Sequence, residues 1–457
     1  MRRYKFIEGM EMKRGIFLPS IAVVFCLSVV LNFYTGVFSP APIQAASFAN
    51  GADVSWLPQM EAKGYKFYDD YGVQKDCLQI LKEHGINSIR LRVWVNPSND
   101  PYNGHCSKDE VVEMAKRCKN MGFRIMINFH YSDSWAEPGK QYKPAAWANH
   151  STNQLYTDIY NHTYDVLSAL KVNGVIPEWV QVGNETNNGM LWEDGKASVN
   201  MRNFAWMINS GYDAVKAVFP ETKVIVHLSN GYDNSLFRWM FDGLRNNGAK
   251  FDVIGMSLYP EPDNWWTLNN QCLYNMNDMV SRYGKEVMIC EVGMASNAAS
   301  AAKEMITDLL QKVASVPGGK GLGVFYWEPQ CYNWAGYGKG AWNTNGRPTI
   351  ALDAFLSNNS GLPTSTPTPT LPPTPIGTTP KPTNNEFVYG DINGDKRVDS
   401  IDYALLKSYL LGFSSEFPYV NGKKAADVNC DGNVDSIDFA LLKGYLLGIF
   451  NYLPVGV

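Results

Sequence analysis

Glu185 and Glu291 are the residues best suited to do chemistry in this chain, because each one follows a short apolar run. Glu185 closes the segment WVQVGNE, and Glu291 follows VMIC. A carboxylate at the end of a buried strand is costly unless it faces a cleft or has a charged partner. Each glutamate alone could therefore be a salt-bridged structural residue. Together they could hydrolyse a glycosidic bond, for which one carboxyl group protonates the leaving oxygen and the second attacks the anomeric carbon or activates water.

A retaining mechanism would place the two carboxyl groups roughly 5 Å apart, so that the second attacks the anomeric carbon directly. The acid must keep its proton near neutral pH, so its carboxyl group needs a poorly solvated site or a negative charge nearby. Asn184 precedes the presumed acid and is suited to hydrogen-bond a sugar 2-hydroxyl group.

A second set of acidic residues occurs twice near the C-terminus, in DINGDKRVDSID (391–402) and DVNCDGNVDSID (427–438). Oxygen ligands at this spacing match twelve-residue calcium loops, so the sequence predicts two calcium ions here. The predicted ligands are Asp391, Asn393, Asp395, Arg397, Asp399 and Asp402 in the first loop and Asp427, Asn429, Asp431, Asn433, Asp435 and Asp438 in the second. Position seven, Arg397 or Asn433, would use its backbone carbonyl oxygen.

These loops depart from the usual EF-hand pattern at two positions. The last ligand is Asp rather than Glu, and Lys396 replaces the sixth-position glycine in the first loop. Acidic turns that cap two helices are the alternative interpretation. The same acidic spacing occurring twice favours calcium.

Between residues 47 and 360 the chain alternates short apolar runs with longer helical patterns. Eight strand–helix steps over a stretch of about 310 residues fit a (β/α)8 barrel, whose strands are buried on both faces. A doubly wound sheet would want a glycine-rich phosphate loop after the first strand, and GADVSWLPQM is not one. The predicted strands are Gly51–Trp56, Ser88–Trp94, Arg124–His130, Trp179–Glu185, Lys223–Ser229, Val253–Tyr259, Glu286–Gly293 and Gly323–Glu328, with helical patterns such as Lys108–Met121 and Ala301–Val316 between them.

Polar residues end these predicted strands repeatedly, and catalytic groups of such barrels sit at the C-terminal strand ends. The fourth and seventh strands lie well apart around the barrel, so Glu185 and Glu291 can face each other across its mouth. The other strand-end candidates are Arg90, Arg92, His130, Asn184, Tyr259, Trp327 and Glu328.

Composition narrows the class of protein. The formal net charge is −4 over 457 residues and no basic stripe is present, so nothing points to nucleic acid. Aromatic residues make up 13% of the chain, which allows either a Trp-rich core or stacking platforms for sugars. The cysteines show neither a CxxC pair nor regular spacing, which excludes a zinc site and a small disulfide scaffold.

The N-terminus and residues 361–385 each have a composition that is typical of a known kind of segment. A basic start, an apolar run from Ile16 to about Phe33 and small residues at Ala45 and Ala46 predict a signal peptide over residues 1–46, with an uncleaved membrane anchor as the alternative. Residues 361–385 are rich in Pro and Thr and are typical of an extended spacer. We therefore expect a secreted protein with a barrel over 47–360 and a small unit over 386–457, without nucleic acid or membrane partners after cleavage.

Several strand-end segments resemble glycoside hydrolase family 53 in the same order along the chain. These are FANGADVSW (48–56), GINSIRLRVWVNP (85–97), INFHYSDSWAEPGKQ (127–141), VQVGNETNNGMLW (180–192), EVMICEVG (286–293) and GVFYWEP (323–329). The resemblance implies a (β/α)8 barrel and endo-β-1,4-galactanase activity on the type I arabinogalactan of pectin. It implies Glu185 as the acid/base and Glu291 as the nucleophile of a retaining reaction that requires no metal.

The same resemblance implies a set of substrate-binding residues. They are Asp53, Arg90, Arg92, His130, Asn184, Tyr259 and Trp327, with Trp327 as the floor of the −1 subsite. His130 could equally be a packed core histidine. Some family members hold calcium in a long ligand-rich loop after the seventh strand, but the corresponding GMASNAASAAKEM (293–305) lacks such ligands. We therefore do not expect calcium in the barrel.

Residues 386–450 resemble a type I dockerin of clostridial cellulosomes, a small all-α module with two EF-hand-like calcium loops. The resemblance implies that this module binds a cohesin on a scaffoldin and so attaches the secreted enzyme to a cellulosome. Ser400, Ile401, Ser436, Ile437, Lys407 and Lys443 match the positions that dockerins use for that contact. The near-identical halves suggest two alternative binding orientations.

Two other functions remain open on the sequence alone. The same barrel and glutamates could act on another β-1,4-glycan, such as mannan, xylan or cellulose. A non-catalytic carbohydrate-binding protein could also keep the fold, although intact Glu185 and Glu291 argue against it.

Overall fold

The computed structural model describes residues 48–356, 388–394, 396–410, 414–446 and 452–454. The predicted signal peptide (1–46) and spacer (361–385) lie outside the described residues. The chain divides into two compact units, one on each side of this spacer, and each is described by itself. Within the described ranges, no helix is both long and apolar enough to cross a bilayer.

The first unit is a closed barrel of parallel strands, as the alternation of strands and helices predicts. Each strand pairs with its sequence neighbour, and the first strand also pairs with the last, which closes the sheet and rules out a doubly wound arrangement. The strands are β1 (Ala49–Asp53), β2 (Ser88–Val93), β3 (Arg124–Phe129), β4 (Trp179–Val182), β5 (Lys223–Leu228), β6 (Val253–Leu258), β7 (Glu286–Val292) and β8 (Gly321–Trp327). A short hairpin (Phe67–Tyr68 and Gln74–Lys75) lies outside the barrel sheet.

Side chains from the strands fill the interior of the barrel, which explains why the strands read as nearly continuous apolar runs. One buried cluster combines Ala49, Met126, Trp179, Ile225, Val253, Met288, Cys290 and Phe325. Gly51 of β1 is required at its position, because a Cβ atom there would lie 2.2 Å from the ring of Phe325. The barrel is therefore a packed core, and only its end is open to a ligand.

Amphipathic helices surround the strands and bury their apolar faces against them. Helix α3 begins with a capping box between Ser107 and Glu110, which satisfies free backbone N–H groups at its start. The helices of this unit are α1 (Leu57–Ala62), α2 (Cys77–Glu83), α3 (Lys108–Asn120), α4 (Thr152–Val172), α5 (Ala197–Val218), α6 (Asn234–Asn246), α7 (Trp265–Tyr283) and α8 (Ala299–Ala314), with 3-10 turns at Ala145–Trp147, Pro317–Gly319 and Ile350–Phe355.

The predicted strand ends differ from the observed ones by a few residues. The first strand begins at Ala49 rather than Gly51, and β4 ends at Val182 rather than Glu185. Gly183 (φ 90°) and Glu185 (φ 44°) adopt left-handed backbone conformations, which break the extended chain. Glu185 therefore lies on the loop just after β4 and not on the strand.

The second unit is a small helical module. Its helices are α9 (Ser400–Leu410), α10 (Gly422–Ala426) and α11 (Ser436–Leu446). Tyr403 of α9 and Phe439 of α11 stack with ring centroids 4.2 Å apart, so equivalent positions of the two repeats pack on each other. The core of this unit also contains Ile392, Leu406, Ala425, Ala426, Val428 and Leu442.

Candidate active site

A cleft of about 430 Å3 opens at the C-terminal end of the barrel strands. All nine residues that the sequence nominates for catalysis or substrate binding line it. They are Asp53, Arg90, Arg92, His130, Asn184, Glu185, Tyr259, Glu291 and Trp327. The barrel thus brings together residues that are up to 274 positions apart in the sequence.

Arg90 is the centre of the hydrogen-bond network under this cleft. Its side chain is fully buried and donates to Asp53 (Nη1 to Oδ2, 2.7 Å) and to Glu291 (Nη2 to Oε1, 2.7 Å). It also donates to Gln181 (2.5 Å) and to Asn184 (2.9 Å). One guanidinium group therefore orients residues from β1, β4 and β7 and neutralises two buried carboxylates.

Glu291 is buried, and two hydrogen-bond donors stabilise its ionised form against that burial. The pKa of this carboxyl group is raised above its usual value by burial and by Asp53, and Arg90 and the hydrogen bond from Tyr259 oppose this rise. The Tyr259 hydroxyl lies 2.9 Å from Oε2, and Arg90 contacts the other oxygen. Oε1 accepts from Arg90 and Oε2 accepts from Tyr259, so neither oxygen carries a hydrogen, and we assign the negative charge to Glu291.

Glu185 has a different environment, because Glu291 adds to the effect of burial. It is half-buried, and burial together with the charge of Glu291 raises its pKa to about 8, against a smaller lowering by a hydrogen bond from Ser257 and by Arg90. Its backbone φ of 44° is unusual for a residue with a side chain and costs about 1–3 kcal/mol. Strain of this kind persists only where the surrounding structure holds it, and it is commonest at functional sites.

His130 and Asn184 fix the loop that forms one wall of the cleft. The Ala136 backbone N–H donates to His130 Nδ1 (3.1 Å), and the Asn184 amide donates to the Ala136 carbonyl (2.9 Å). Burial and the charges of Arg92 and Arg90 lower the pKa of His130 well below its usual value, so the ring is neutral. His130 therefore contacts the cleft and also packs against the surrounding structure.

Arg92 forms a second buried ion pair, with Glu328 (2.6 Å). Its guanidinium also lies over the ring of Trp135, 4.4 Å from the centroid, and near Trp56 at 5.0 Å. Trp327 packs against this aromatic group, with its ring centroid 5.3 Å from that of Trp56. The aromatic wall beside the carboxyl groups is thus held rigidly by packing and by cation–π contacts.

The two predicted calcium loops have matching geometry in the second unit. Asp402 accepts hydrogen bonds from the backbone N–H groups of Ile392 (2.7 Å) and Asp399 (2.9 Å). Asp438 accepts the equivalent bonds from Val428 (2.9 Å) and Asp435 (2.9 Å). Both aspartates are fully buried.

The remaining loop ligands can be located except for one. Asp391 is buried and accepts from the backbone of its own loop, as Asp427 does in the second loop. Asp395 lies outside the described residues. Among the residues that are described, no three Asp, Glu, His or Cys side chains are grouped closely enough to hold a metal by themselves. The loops nevertheless carry the aspartate and asparagine side chains and the backbone carbonyl groups that could supply an all-oxygen set of ligands to Ca2+.

Comparison with known proteins identifies both units. Residues 49–364 match glycosyl hydrolase family 53. The chain belongs to glycosyl hydrolase family 53. It is therefore a glycoside hydrolase, and residues 389–447 match the dockerin type I domain, so it carries a type I dockerin.

Relatives and a solved structure of this family cover the barrel. An uncharacterized protein in the bgaB 5′ region of Niallia circulans is 36% identical over 318 residues, which are 63% of this chain and 85% of that protein. The arabinogalactan endo-β-1,4-galactanase of Humicola insolens is 34% identical over 302 residues, 61% of this chain and 88% of that protein. The Ignisphaera aggregans GH53 catalytic domain is 33% identical with a TM-score of 0.62, covering 69% of this chain and 97% of that one.

The family 53 barrel also contains cleft residues that the sequence did not nominate. Asn128 stands inside the segment INFHY without an assigned role, whereas the strand-end candidate Glu328 is fully buried and pairs with Arg92. Asn128 donates to Asn184 (3.0 Å), and the lining also includes Glu137, Tyr337 and Lys339. Asn128 lies on β3, whereas Glu137, Tyr337 and Lys339 lie on loops that carry no sequence signal of their own.

The tryptophans near loops separate into two groups in the structure. Trp94, Trp334 and Trp342 are buried, so they belong to the core and cannot stack on a sugar. Trp135 and Trp192 are partly exposed, and only Trp135 of these two lines the cleft.

Proposed function

We propose that this chain is a retaining endo-β-1,4-galactanase that cleaves the galactan of type I arabinogalactan. The observation that carries the proposal is the contrast between two carboxyl groups in one cleft of a family 53 barrel. The pKa of Glu185 is raised to about 8 by burial and by the charge of Glu291, whereas Arg90 and Tyr259 bind both oxygens of Glu291. One group therefore suits an acid and the other a nucleophile.

In the first step, the Glu291 carboxylate attacks the anomeric carbon of the sugar in the −1 subsite. Glu185 donates its proton to the glycosidic oxygen, the C–O bond breaks, and the shortened chain leaves with that proton. The sugar is then linked to Glu291 as an ester. Arg90 stays bound to the same carboxyl group and keeps it oriented towards the cleft.

In the second step, the ionised Glu185 takes a proton from water while that water attacks the anomeric carbon. The ester bond to Glu291 breaks and the carboxylate is regenerated, so two inversions give net retention. The pKa of Glu185 is expected to fall once Glu291 is esterified, because the charge that raises it is neutralised. The same residue can therefore act first as an acid and then as a base.

The remaining cleft residues bind the substrate in this proposal. Asn184 accepts from Arg90 and Asn128 and gives one amide hydrogen to Ala136, which leaves its second hydrogen for the sugar 2-hydroxyl. Trp327 offers an aromatic surface for the sugar in the −1 subsite. The remaining residues proposed to bind this sugar also line the cleft; they are Asp53, Arg92, His130 and Tyr259.

The test is reducing-sugar release from debranched galactan by the wild type, Glu185→Ala and Glu291→Ala, with mannan, xylan and cellulose as parallel substrates. We expect activity on galactan and losses of several orders of magnitude in both variants. Sodium azide distinguishes the roles on an aryl glycoside. It should restore turnover of Glu185→Ala with a β-glycosyl azide as product and of Glu291→Ala with an α-glycosyl azide, because azide replaces water in one case and the nucleophile in the other.

Three results would change this proposal. Activity on another polymer would keep the mechanism and change the substrate. An inverted anomeric configuration in the first-formed product, followed by NMR, would reject the retaining reaction. Binding without release of reducing ends from any β-glycan would favour a carbohydrate-binding protein.

We further propose that residues 1–46 direct secretion, that 361–385 link the units, and that the dockerin over 386–457 binds two calcium ions and a scaffoldin cohesin. Ile401 and Ile437 are 54% and 53% exposed at equivalent positions of α9 and α11, and Lys407 and Lys443 are exposed beside them. Exposed isoleucines at two symmetric sites are what two alternative orientations require. Ser436 is exposed as well, and the side chain of Ser400 lies outside the described set.

Calorimetric titration with a type I cohesin tests this part. Ile401→Asp and Ile437→Asp should each leave binding close to wild type, because the other face remains, and the double variant should lose it. A large loss in one single variant would reject two equivalent orientations.

A further inference from the structure

Two buried residues outside the predicted site, His227 and Ser257, form a ring of polar contacts with the backbone and the side chain of Glu185. The backbone N–H of Glu185 donates to His227 Nδ1 (3.3 Å), and His227 Nε2 lies 2.8 Å from Ser257 Oγ. The Ser257 hydroxyl in turn lies beside the Glu185 side chain, and this contact lowers the pKa of the Glu185 carboxyl group. Both residues are fully buried, on the neighbouring strands β5 and β6.

The direction of every bond in this ring is determined by its first donor. A backbone N–H can only donate, so Nδ1 of His227 must present its lone pair. Burial and the nearby Arg90 lower the pKa of His227 well below its usual value, so the imidazole is neutral. Its single N–H hydrogen is therefore on Nε2. Nε2–H then donates to Ser257 Oγ, which leaves the Ser257 hydrogen to donate to the carboxyl group of Glu185.

His227 also holds the strained backbone next to Glu185. Its carbonyl oxygen accepts from the N–H of Thr186 (2.9 Å) and from the Thr186 hydroxyl (3.2 Å). Gln141 binds the residue that precedes Glu185, by donating to the carbonyl of Asn184 (2.8 Å). The left-handed conformation of Glu185 is thus fixed on both sides by hydrogen bonds.

We propose that His227 and Ser257 are positioning residues for the acid/base, in which His227 commits the Ser257 hydroxyl to donate to the Glu185 carboxyl group. This inference rests on the role proposed above for Glu185. The ring orients the carboxyl group and favours its ionised form, which is the form needed as a base in the second step. The other charged or titratable groups that face Glu185 are Glu291, Arg90, Glu137 and Tyr259.

The measurement is the pH dependence of kcat/KM on galactan for the full chain and for Ser257→Ala. Ser257→Ala removes a hydrogen bond to the ionised form of Glu185. The apparent pKa of the alkaline limb of this pH profile should therefore rise by about one unit. The acid limb, which reports Glu291, should not move. Activity at the optimum should fall about tenfold on galactan, because the acid is less well oriented.

A substrate that needs no protonation separates positioning of the acid from general damage. A dinitrophenyl glycoside has a leaving group that departs without a proton, so Ser257→Ala should leave its rate of glycosyl-enzyme formation close to wild type. An equal loss on both substrates would overturn the proposal.

His227→Asn and Thr163→Val complete the design. Asparagine at 227 can still accept the Glu185 N–H but cannot reach Ser257, so the alkaline limb should move in the same direction as in Ser257→Ala. If it stays at the wild-type pH while Ser257→Ala moves it, His227 has no part in the proposed role. Thr163→Val removes a buried hydroxyl that bonds Tyr131 (2.7 Å) away from the cleft, and should lower Tm without moving either limb.

The outcomes for Glu185 and for the ring can be told apart. If Glu185→Ala keeps its activity, the proposed acid/base is wrong and the inference falls with it. If Glu185→Ala is inactive but the limbs of Ser257→Ala match those of the wild type, only the inference is wrong. Should His227→Asn fail to fold, Ser257→Ala and the dinitrophenyl substrate still decide.

Discussion

Replacing Arg90 with methionine should damage the chemistry and the stability of this enzyme together, in a way that depends on pH. Arg90 is fully buried and lies 2.7 Å from both Asp53 and Glu291. Methionine has a similar length but no charge, so the two carboxylates would be left buried without a counter-ion. Removing one partner of a buried ion pair costs about 3–5 kcal/mol of the free energy of unfolding.

The variant can avoid part of this cost by protonating Glu291. Arg90 lowers the pKa of Glu291 in the wild type, and a hydrogen bond to a charged group contributes about 1.5–3 kcal/mol. At 1.36 kcal/mol per pKa unit, its loss should raise the pKa of Glu291 by about one to two units. The acid limb of kcat/KM on galactan should therefore move to higher pH by that amount.

Stability should follow the same titration. A group whose pKa is raised in the folded state contributes stability below its unfolded pKa and loses that contribution as pH rises through the folded pKa. The deficit of Arg90→Met in urea unfolding should therefore be larger at pH 8 than at pH 5. As the pH rises, Glu291 loses the proton that had neutralised it, and the variant again contains an unpaired buried charge.

Arg92→Met is the matched control, because it breaks a buried pair of the same kind, with Glu328, that does not touch Glu291. It should lower the free energy of unfolding by a similar amount, yet leave the acid limb where it is in the wild type. If both variants shift the acid limb equally, or if neither does, Arg90 does not set the ionisation of Glu291 and the reasoning is refuted.

Four further predictions follow, one for the acid, one for the aromatic wall and two for the dockerin. Wild-type kcat/KM on galactan should fall above about pH 8, where Glu185 loses its proton. If Glu185→Gln shows the same decrease at alkaline pH, another group is responsible for it. Trp327→Ala should raise KM on galactan about tenfold with a smaller change in kcat, as expected for lost stacking of about 1–1.5 kcal/mol; a change in kcat alone would contradict this role. Chelation with EDTA should abolish the calorimetric transition of the dockerin and leave that of the barrel, because the buried Asp402 and Asp438 repel their acidic neighbours without a cation. Alanine at either aspartate should reduce bound calcium from two ions to one, and an unchanged stoichiometry would contradict the assignment of that loop.

The barrel could be predicted from the sequence because its signals are local. Each strand is a short apolar run that is buried on both faces, and each is followed by a helical pattern, so counting them leads to a closed parallel barrel. The boundaries were less accurate where glycine ends a strand. The sequence WVQVGNE does not predict that the strand ends at Val182, because this end depends on the left-handed conformations of Gly183 and Glu185.

The cleft was predictable in part for a similar reason. Residues at strand ends must meet at one end of a barrel, so the nine nominated residues come together once the fold is known. Which of them pair is a different question. The two arginines of RLRV and their neighbours are alike in sequence, but Arg90 binds Glu291 whereas Arg92 binds Glu328. Only the register of the strands and the twist of the barrel separate these two ion pairs.

The supporting residues were missed because they look like core. His227 and Ser257 lie inside the apolar strands KVIVHL and VIGMSL, where a single polar residue is usually a packed side chain with a local partner. Their role follows from a chain of donors and acceptors that begins at the backbone of another loop. Burial turns this chain into a constraint, because a buried polar group without its partner is costly and each hydroxyl and ring nitrogen is therefore committed to one direction. The two carboxyl groups themselves can be found from sequence, but the difference in pKa that gives them separate roles arises from partners that only the folded barrel brings to them.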